Sequence, residues 1–247
     1  MVTDLQNRAE QDPDKIRSMF DRISPTYDLL NRTLTLGIDK RWRTAAIKAL
    51  GALDGAHCLD ICCGTGDMTF ELARISRSGF AEIQALDFSA DMLGFADEKL
   101  AKAVKRAPEL TEKITFLQGD AERLPFEDNR FETAMVAFGI RNVRNIPQAL
   151  SEAARVLKPG GKFAILEFSM PTSKVISALY RFYFRQILPR IGAALSGDAE
   201  AYHYLNKSAE AFPSGEEFAT VIRDAGFSAV EVRPMSFGLV TVYLATV

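Results

Sequence analysis

"LDICCGTGDM", Leu59 to Met68, is the stretch whose reading decides the fold. An apolar run from Ala56 to Ile61 passes straight into Gly64, Thr65 and Gly66, and a helical pattern begins near Met68. A strand, a glycine turn and a helix in that order let the backbone approach a ligand closely and present a helix N-terminus that favours an anionic group. A dinucleotide site would read G-x-G-x-x-G. Here the run is G-T-G-D-M-T: Thr69 stands where the third glycine permits close helix packing, and Asp67 stands where a diphosphate would be repelled. The turn therefore points to a ligand without phosphates.

The cysteines beside the turn are read in the same light. All three, Cys58, Cys62 and Cys63, fall within six positions, and the vicinal pair cannot easily reach the ~4.4–6.8 Å Cα separation of a disulfide. A zinc site would need C-x2-C pairs or ligands from two places, and the two histidines, His57 and His203, do not complete one. No metal is expected. Cys58 is assigned to a strand, and Cys62 and Cys63 to the floor of the turn.

Outward from the turn, short apolar runs alternate with helical patterns: 56–61, 82–88, 114–119, 131–138 and 161–168. Continuous apolar strands separated by helices belong to a parallel sheet covered on both faces, an α/β fold. Ser89 is placed to cap a helix carrying Met92, Leu93, Ala96, Leu100 and Val104 on one side. Pro147 suits the first turn of another, which carries Leu150, Ala154 and Leu157 to a stop at "KPGG". Ser214 with Glu217 reads as a capping box and Gly226 as a C-terminal stop. The last 19 residues, "AVEVRPMSFGLVTVYLATV", read as an antiparallel hairpin turning around Met235 to Gly238.

Two further acids follow the glycine turn in order. Asp87 ends the second strand 21 positions after Gly66, where a carboxylate commonly accepts from ribose hydroxyls. Asp120 ends the third strand in "GDAERLPF", placed to accept from the exocyclic amine of an adenine, with the Ala121 backbone beside it. Ribose, adenine, no phosphate and a cationic tail describe S-adenosylmethionine.

With those residues in place, "LDICCGTGDM", "ALDFSADML", "GDAERLPFEDNRFE" and "RVLKPGGKF" resemble the class I S-adenosylmethionine methyltransferases. "FDRISPTYDLLNRTLTLGIDKRWR" (20–43), "FGIRNVRN" (138–145), "LEFSMP" (166–171) and "LPRIGAALSGDAEAYHYLNKS" (188–208) narrow the resemblance to the quinone-biosynthesis C-methyltransferases, which act on demethylmenaquinol or on polyprenyl methoxy-benzoquinol. The resemblance covers nearly the whole chain from Phe20 onward. It implies one Rossmann-like domain over 1–247: a seven-stranded sheet, mostly parallel with a C-terminal antiparallel hairpin, with helices on both faces. It also implies an N-terminal helical segment over 1–50 and an insertion over 170–212 that forms a substrate lid. Gly64, Thr65, Gly66, Asp87, Asp120 and Ala121 are the expected cofactor contacts. Where many relatives have a serine before the Phe-Gly of "FGIRNV", this chain has Ala137, so no side-chain hydrogen bond is assigned there.

The implied reaction puts a methyl on a ring carbon of a prenylated quinol. An ordinary phenol ionises near ~10, so a nearby cation or base is needed at neutral pH. Arg141 and Asn142 are the first candidates for the substrate side, the guanidinium to stabilise a phenolate and the amide to orient a hydroxyl. The plainer role for Arg141 is a surface ion pair with Asp120 or Glu167. Tyr27 and Asp28 are placed to close over the site from the N-terminal segment, and Tyr202, His203 and Tyr204 from the insertion, with His203 the sole imidazole candidate for a base. Two other readings stay open: a non-catalytic S-adenosylmethionine-binding subunit of a quinone-synthesis assembly, and a class I methyltransferase acting on another small molecule.

Composition sets the remaining limits. Thirty basic residues against 32 acidic leave a net charge of −2, with no basic stripe to track a phosphate backbone, so no nucleic acid is expected. The polar start lacks a secretory or transit pattern, and no run approaches the ~18 apolar residues of a bilayer span. The expectation is a cytoplasmic chain whose membrane contact, if it has one, is peripheral. Residues 175–195, with Leu179, Phe182, Tyr183, Gln186 and Ile187 near one face and Arg181, Arg185 and Arg190 elsewhere, read equally as a core helix and as a greasy lid for a polyprenyl tail on the membrane surface. Naphthoquinol or benzoquinol acceptor, tail length and homodimer formation are left open.

Overall fold

A computed structural model of the chain describes residues 12–76, 79–171, 173, 176–178, 182, 186, 204 and 207–247. Seven strands form one sheet in the order β3-β2-β1-β4-β5-β7-β6. They are β1 (His57–Ile61), β2 (Glu82–Asp87), β3 (Ile114–Gln118), β4 (Phe131–Ala137), β5 (Leu157–Phe168), β6 (Ala229–Met235) and β7 (Val240–Thr246). The first five run parallel, and β7 joins β5 antiparallel with β6 paired outside it. The seven-stranded, mostly parallel reading and the C-terminal hairpin both hold.

Period-two side-chain alternation sends successive residues of each inner strand into two different cores. Leu59, Ile61, Ala134, Val136, Phe163 and Ile165 join one cluster, while Cys58, Met135, Ala164 and Leu166 join the other. Helices α6 (Ile146–Val156) and α7 (Glu216–Asp224) cover the first face. The second is covered by α2 (Asp39–Leu50) and α3 (Asp67–Ser76), with α4 (Ala90–Val104) and α5 (Leu110–Lys113) further along the sheet. The exposed edge strand β6 carries Glu231, Arg233 and Pro234, residues that discourage further strand pairing.

Ser89 caps α4 as expected, its hydroxyl accepting from the Met92 N–H at 3.1 Å, and Met92, Leu93 and Ala96 are buried. Pro147 lies in the first turn of α6, but Leu157 already belongs to β5, which takes in the whole "KPGG" stretch with Gly160 at φ +76°. The capping box at Ser214 and Glu217 does not form. Gly215, at φ +62°, precedes α7 and its N–H donates to the Tyr243 hydroxyl at 2.8 Å, so the helix start is satisfied from β7.

Ahead of the sheet, α1 (Pro13–Leu34) continues through Pro25. Proline has no N–H to offer the carbonyl four residues back. The Ser24 hydroxyl donates to that Asp21 carbonyl instead, at 2.8 Å. Helices occupy 13–34 and 39–50, and the residues before Asp12 lie outside the described residues. Most of the 170–212 insertion lies outside them too.

Candidate cofactor and acceptor site

Strand order reverses between β1 and β4, so loops at their C-terminal ends diverge and leave a crevice. A cavity of about 270 Å³ opens there, walled by the residues that follow β1, β2, β3 and β4 and roofed by Ile16, Arg17, Phe20 and Tyr27 of α1.

The turn after β1 is shaped by left-handed backbone at Cys62 (φ +55°), Gly64 (φ +55°) and Gly66 (φ +81°). Cys62 and Cys63 line the cavity. Burial, reinforced by the carboxylates of Asp87 and Asp60, pushes both thiols well above their usual pKa, away from thiolate chemistry. Asp87 stitches the turn to β2: its Oδ2 accepts from the Gly64 N–H at 2.7 Å and its Oδ1 from the Ser89 N–H at 2.9 Å. Asp120, exposed on the cavity rim, accepts from the Glu122 N–H at 2.8 Å, and Ala121 beside it is buried.

Thr65 lines the cavity, but its hydroxyl turns toward α1, donating to Asp28 at 2.6 Å and accepting from Lys99 at 2.9 Å. Lys99 also pairs with Asp28 and, at 2.8 Å, with Asp67. Desolvation works against ionised Asp67, yet Arg43 and Lys99 hold its pKa below the ordinary carboxylate value. The acid read from the sequence as an obstacle to phosphate is thus also the first residue of α3 and a partner of two cations. A second clasp joins α1 to the sheet, the Ser89 hydroxyl donating to Asp21 at 2.5 Å while Arg17 lies over the Phe88 ring.

The two buried charged residues of the cavity, Asp60 and Arg43, escaped the sequence reading. Asp60 is fully buried in β1; its Oδ2 accepts from the Thr69 hydroxyl at 2.6 Å, and its Oδ1 has no hydrogen-bond partner among the described residues. Burial pushes its carboxyl up to about 7. Arg43, also buried, pairs with Asp39 and lies 3.7 Å from Asp67, with its guanidinium over the Phe138 ring. Both line the cavity, which brings a buried carboxyl group and a cation to one wall. The signal for Asp60 was present: an acid inside an apolar strand is costly unless something compensates it.

On the far side of the turn, Asn142 and Tyr27 line the same cavity, and the Tyr204 hydroxyl donates to Asn142 Oδ1 at 3.2 Å. Arg141 sits one layer behind this wall. It pairs with Glu167 rather than Asp120, and the pair is buried, 2% and 0% exposed, not on the surface. The Tyr27 and Tyr204 hydroxyls nevertheless lie within its electrostatic reach. Ala137 contributes to the cavity wall. Tyr202 and His203 lie outside the described residues, as do Leu179, Tyr183, Ile187, Arg181, Arg185 and Arg190, while Phe182 and Gln186 are exposed.

Comparison with known proteins identifies the family. Residues 7–247 match the ubiE/COQ5 methyltransferase family. The chain is 45% identical over 227 residues to a ubiquinone/menaquinone biosynthesis C-methyltransferase of Syntrophotalea carbinolica, covering 92% of each chain. It is 42% identical to a demethylmenaquinone methyltransferase of Deinococcus radiodurans, covering 96% of this chain and 93% of that one. Among solved structures, an S-adenosylmethionine-dependent methyltransferase from Thermotoga maritima superposes with a TM-score of 0.62 at 21% identity, covering 94% of this chain and 99% of that one, a likeness of fold.

Proposed function

The chain belongs to the ubiE/COQ5 methyltransferase family, and we propose that it methylates a ring carbon of a prenylated quinol, demethylmenaquinol or a polyprenyl methoxy-benzoquinol, at the expense of S-adenosylmethionine. The observation that carries this reading is that Asp60, whose Oδ1 has no hydrogen-bond partner among the described residues, and Arg43 line the same cavity, a buried acid and a cation suited to an amino-acid zwitterion. Asp60 would hold the ammonium and Arg43 the carboxylate of the methionine end. Asp87 would take the ribose, and Asp120 with the Ala121 backbone the adenine. The Gly64–Thr65–Gly66 turn would lie against the chain between them. When bound, S-adenosylmethionine supplies an electrophilic methyl group and leaves as the neutral thioether.

The protein's part is to hold the acceptor carbon in line and to favour loss of a hydroxyl proton. Asn142, fixed by Tyr204, orients a ring hydroxyl, and Tyr27 closes the cavity over the ring. Arg141 supports the developing phenolate through its charge from behind the wall. The methyl joins the ring carbon, the ring proton leaves to a base or water, and aromaticity is restored. His203 is the imidazole candidate for that base. The apolar face read over 175–195 suits a polyprenyl tail and a membrane surface. Neither this lid nor a cytoplasmic site of action conflicts with the finding that no helix among the described residues is long and apolar enough to cross a membrane. Sedimentation with anionic liposomes tests the membrane contact, and unchanged sedimentation with and without lipid overturns it.

The deciding assay supplies labelled S-adenosylmethionine with short-tailed demethylmenaquinol or methoxy-benzoquinol under reducing conditions. Label is expected in the ring of at least one of them, and the preferred acceptor names the pathway. Tight cofactor binding with transfer to neither would overturn the reading in favour of a silent binding subunit or a different acceptor.

A further inference from the structure

Glu167, the penultimate residue of β5, lies beneath the turn Ile140–Asn142 and is fully buried. Its carboxylate engages three donors. Oε1 accepts from Arg141 Nη1 at 2.7 Å and from the Phe168 N–H at 2.9 Å, and Oε2 faces the Arg141 N–H at 3.4 Å. The same guanidinium nitrogen donates to the Phe138 carbonyl at 2.6 Å, and the guanidinium lies over the Phe168 ring. One side chain therefore grips both the backbone and the side chain of the residue next to Asn142, and ties the turn after β4 to the end of β5.

A pair this deeply buried is a poor way to gain stability, because desolvating both charges offsets most of their attraction and apolar residues of like volume do as well or better. What the pair supplies that apolar residues cannot is direction. The side chain and the backbone N–H of Arg141 both meet this one carboxylate, which the Phe168 N–H anchors in β5, so the turn is held at a fixed point of the sheet, and Asn142 enters the cavity from that turn.

We infer that Glu167 is a positioning residue for methyl transfer: it fixes the Ile140–Asn142 turn, and with it the acceptor side of the cavity, while leaving the cofactor side untouched. This rests on the reading that Asn142 meets the quinol. A misplacement of about 1 Å at a reacting centre costs about 10²-fold in rate, so Glu167→Gln, which keeps the shape and sets an amide N–H against the Arg141 N–H, should lower kcat by about that factor.

The test measures kcat, quinol KM and S-adenosylmethionine affinity for Glu167→Gln, Glu167→Asp, Asn142→Ala and the double variant Glu167→Gln/Asn142→Ala in the full chain. Expected are a large kcat loss in Glu167→Gln with cofactor affinity within twofold of the parent, partial recovery in Glu167→Asp, and a double variant scarcely worse than the poorer single one. Cofactor affinity falling in step with turnover would mark Glu167 as merely structural and overturn the inference, as would strictly additive losses. Parent-like turnover in Glu167→Gln with an impaired Asn142→Ala would overturn it alone. Parent-like turnover in Asn142→Ala would instead overturn the acceptor-side reading beneath it. Should Glu167→Gln fail to fold, Glu167→Asp decides: a kcat loss at unchanged cofactor affinity supports the inference, and a parallel loss of both refutes it.

Discussion

The Thr69 hydroxyl donates to Asp60 Oδ2 at 2.6 Å and leaves Oδ1 of the same buried carboxylate unpartnered among the described residues, in the wall of the cavity that Arg43 also lines. A helix residue in α3 thus fixes the rotamer of a strand residue in β1 and leaves one oxygen of a fully buried carboxylate without a hydrogen-bond partner among the described residues. A buried acid is costly to its own strand unless something compensates it.

Cofactor binding should depend on pH through Asp60. Burial raises its carboxyl to about 7, above its ordinary value of 3.8. In the free protein, ionising it is harder than in the unfolded chain, so its contribution to unliganded stability declines as pH rises from that ordinary value through about 7. A bound ammonium favours the carboxylate and lowers the pKa again, so binding releases a proton when the pH lies below about 7. Titration calorimetry should show S-adenosylmethionine affinity falling from about pH 8 to about pH 6, and Asp60→Asn should be both weaker and flat across that range. A wild-type affinity that is level over the same window refutes the assignment.

Much of the fold was legible because both faces of the sheet are buried. β1, β4 and the second half of β5 read as mostly apolar runs, and the stretch from Leu59 to Met68 places the turn after β1. What was hidden depends on contacts far along the chain. The cap of α7 lies with Tyr243, which is 28 residues from Gly215. Arg43 sits in "DKRWR", a basic stretch, yet is a buried cavity residue paired with Asp39 and lying over the Phe138 ring. Arg141 was legible as a paired cation, and its burial was not, because only the folded sheet brings Glu167 beneath it.

Acid should unfold the protein partly through Glu82 at the opposite end of the sheet. Desolvation alone would raise this carboxyl, but hydrogen bonds from His57, Arg130 and Gln84 hold it down at about 2, against an ordinary value of 4.5. A depressed carboxylate stabilises the fold above its unfolded value and loses that contribution as pH falls toward its folded one. The melting temperature should therefore drop between pH 4.5 and about 2. Glu82→Gln should start lower at neutral pH and fall less steeply over this window, and an acid limb parallel to wild type would count against the cluster.

Lys99 should prove to be the clasp on the roof of the cavity. It joins Asp28 of α1 to Thr65 and Asp67 of the glycine turn. Lys99→Met leaves those two carboxylates without their shared cation and loosens α1 over the site. A half-buried charge-assisted bond of about 1 kcal/mol corresponds to roughly fivefold in affinity, the loss expected for S-adenosylmethionine. Faster proteolytic cleavage within 13–34 should accompany it, with cofactor restoring protection; unchanged cleavage would separate Lys99 from the roof.

The vicinal cysteines that open the turn are expected to matter for their shape and not for their sulfur. Cys62→Ala/Cys63→Ala should keep methyl transfer largely intact, since burial keeps both thiols protonated. Shape is a different matter at Gly139, where an added Cβ would come within 2.4 Å of the Cys62 Cβ. Gly139→Ala should therefore destabilise by about 1–3 kcal/mol, the range for overpacking a filled core, and should shift Asn142 with it. The offending atom is a Cβ, so Cys62→Ala cannot relieve the clash. Cys62→Gly removes it, and at φ +55° glycine adopts the backbone without strain. Thermal unfolding of the two double variants settles the point: recovery in Gly139→Ala/Cys62→Gly but not in Gly139→Ala/Cys62→Ala is expected, and equal melting temperatures for the pair would mean that the turn after β4 is free to move away from Cys62.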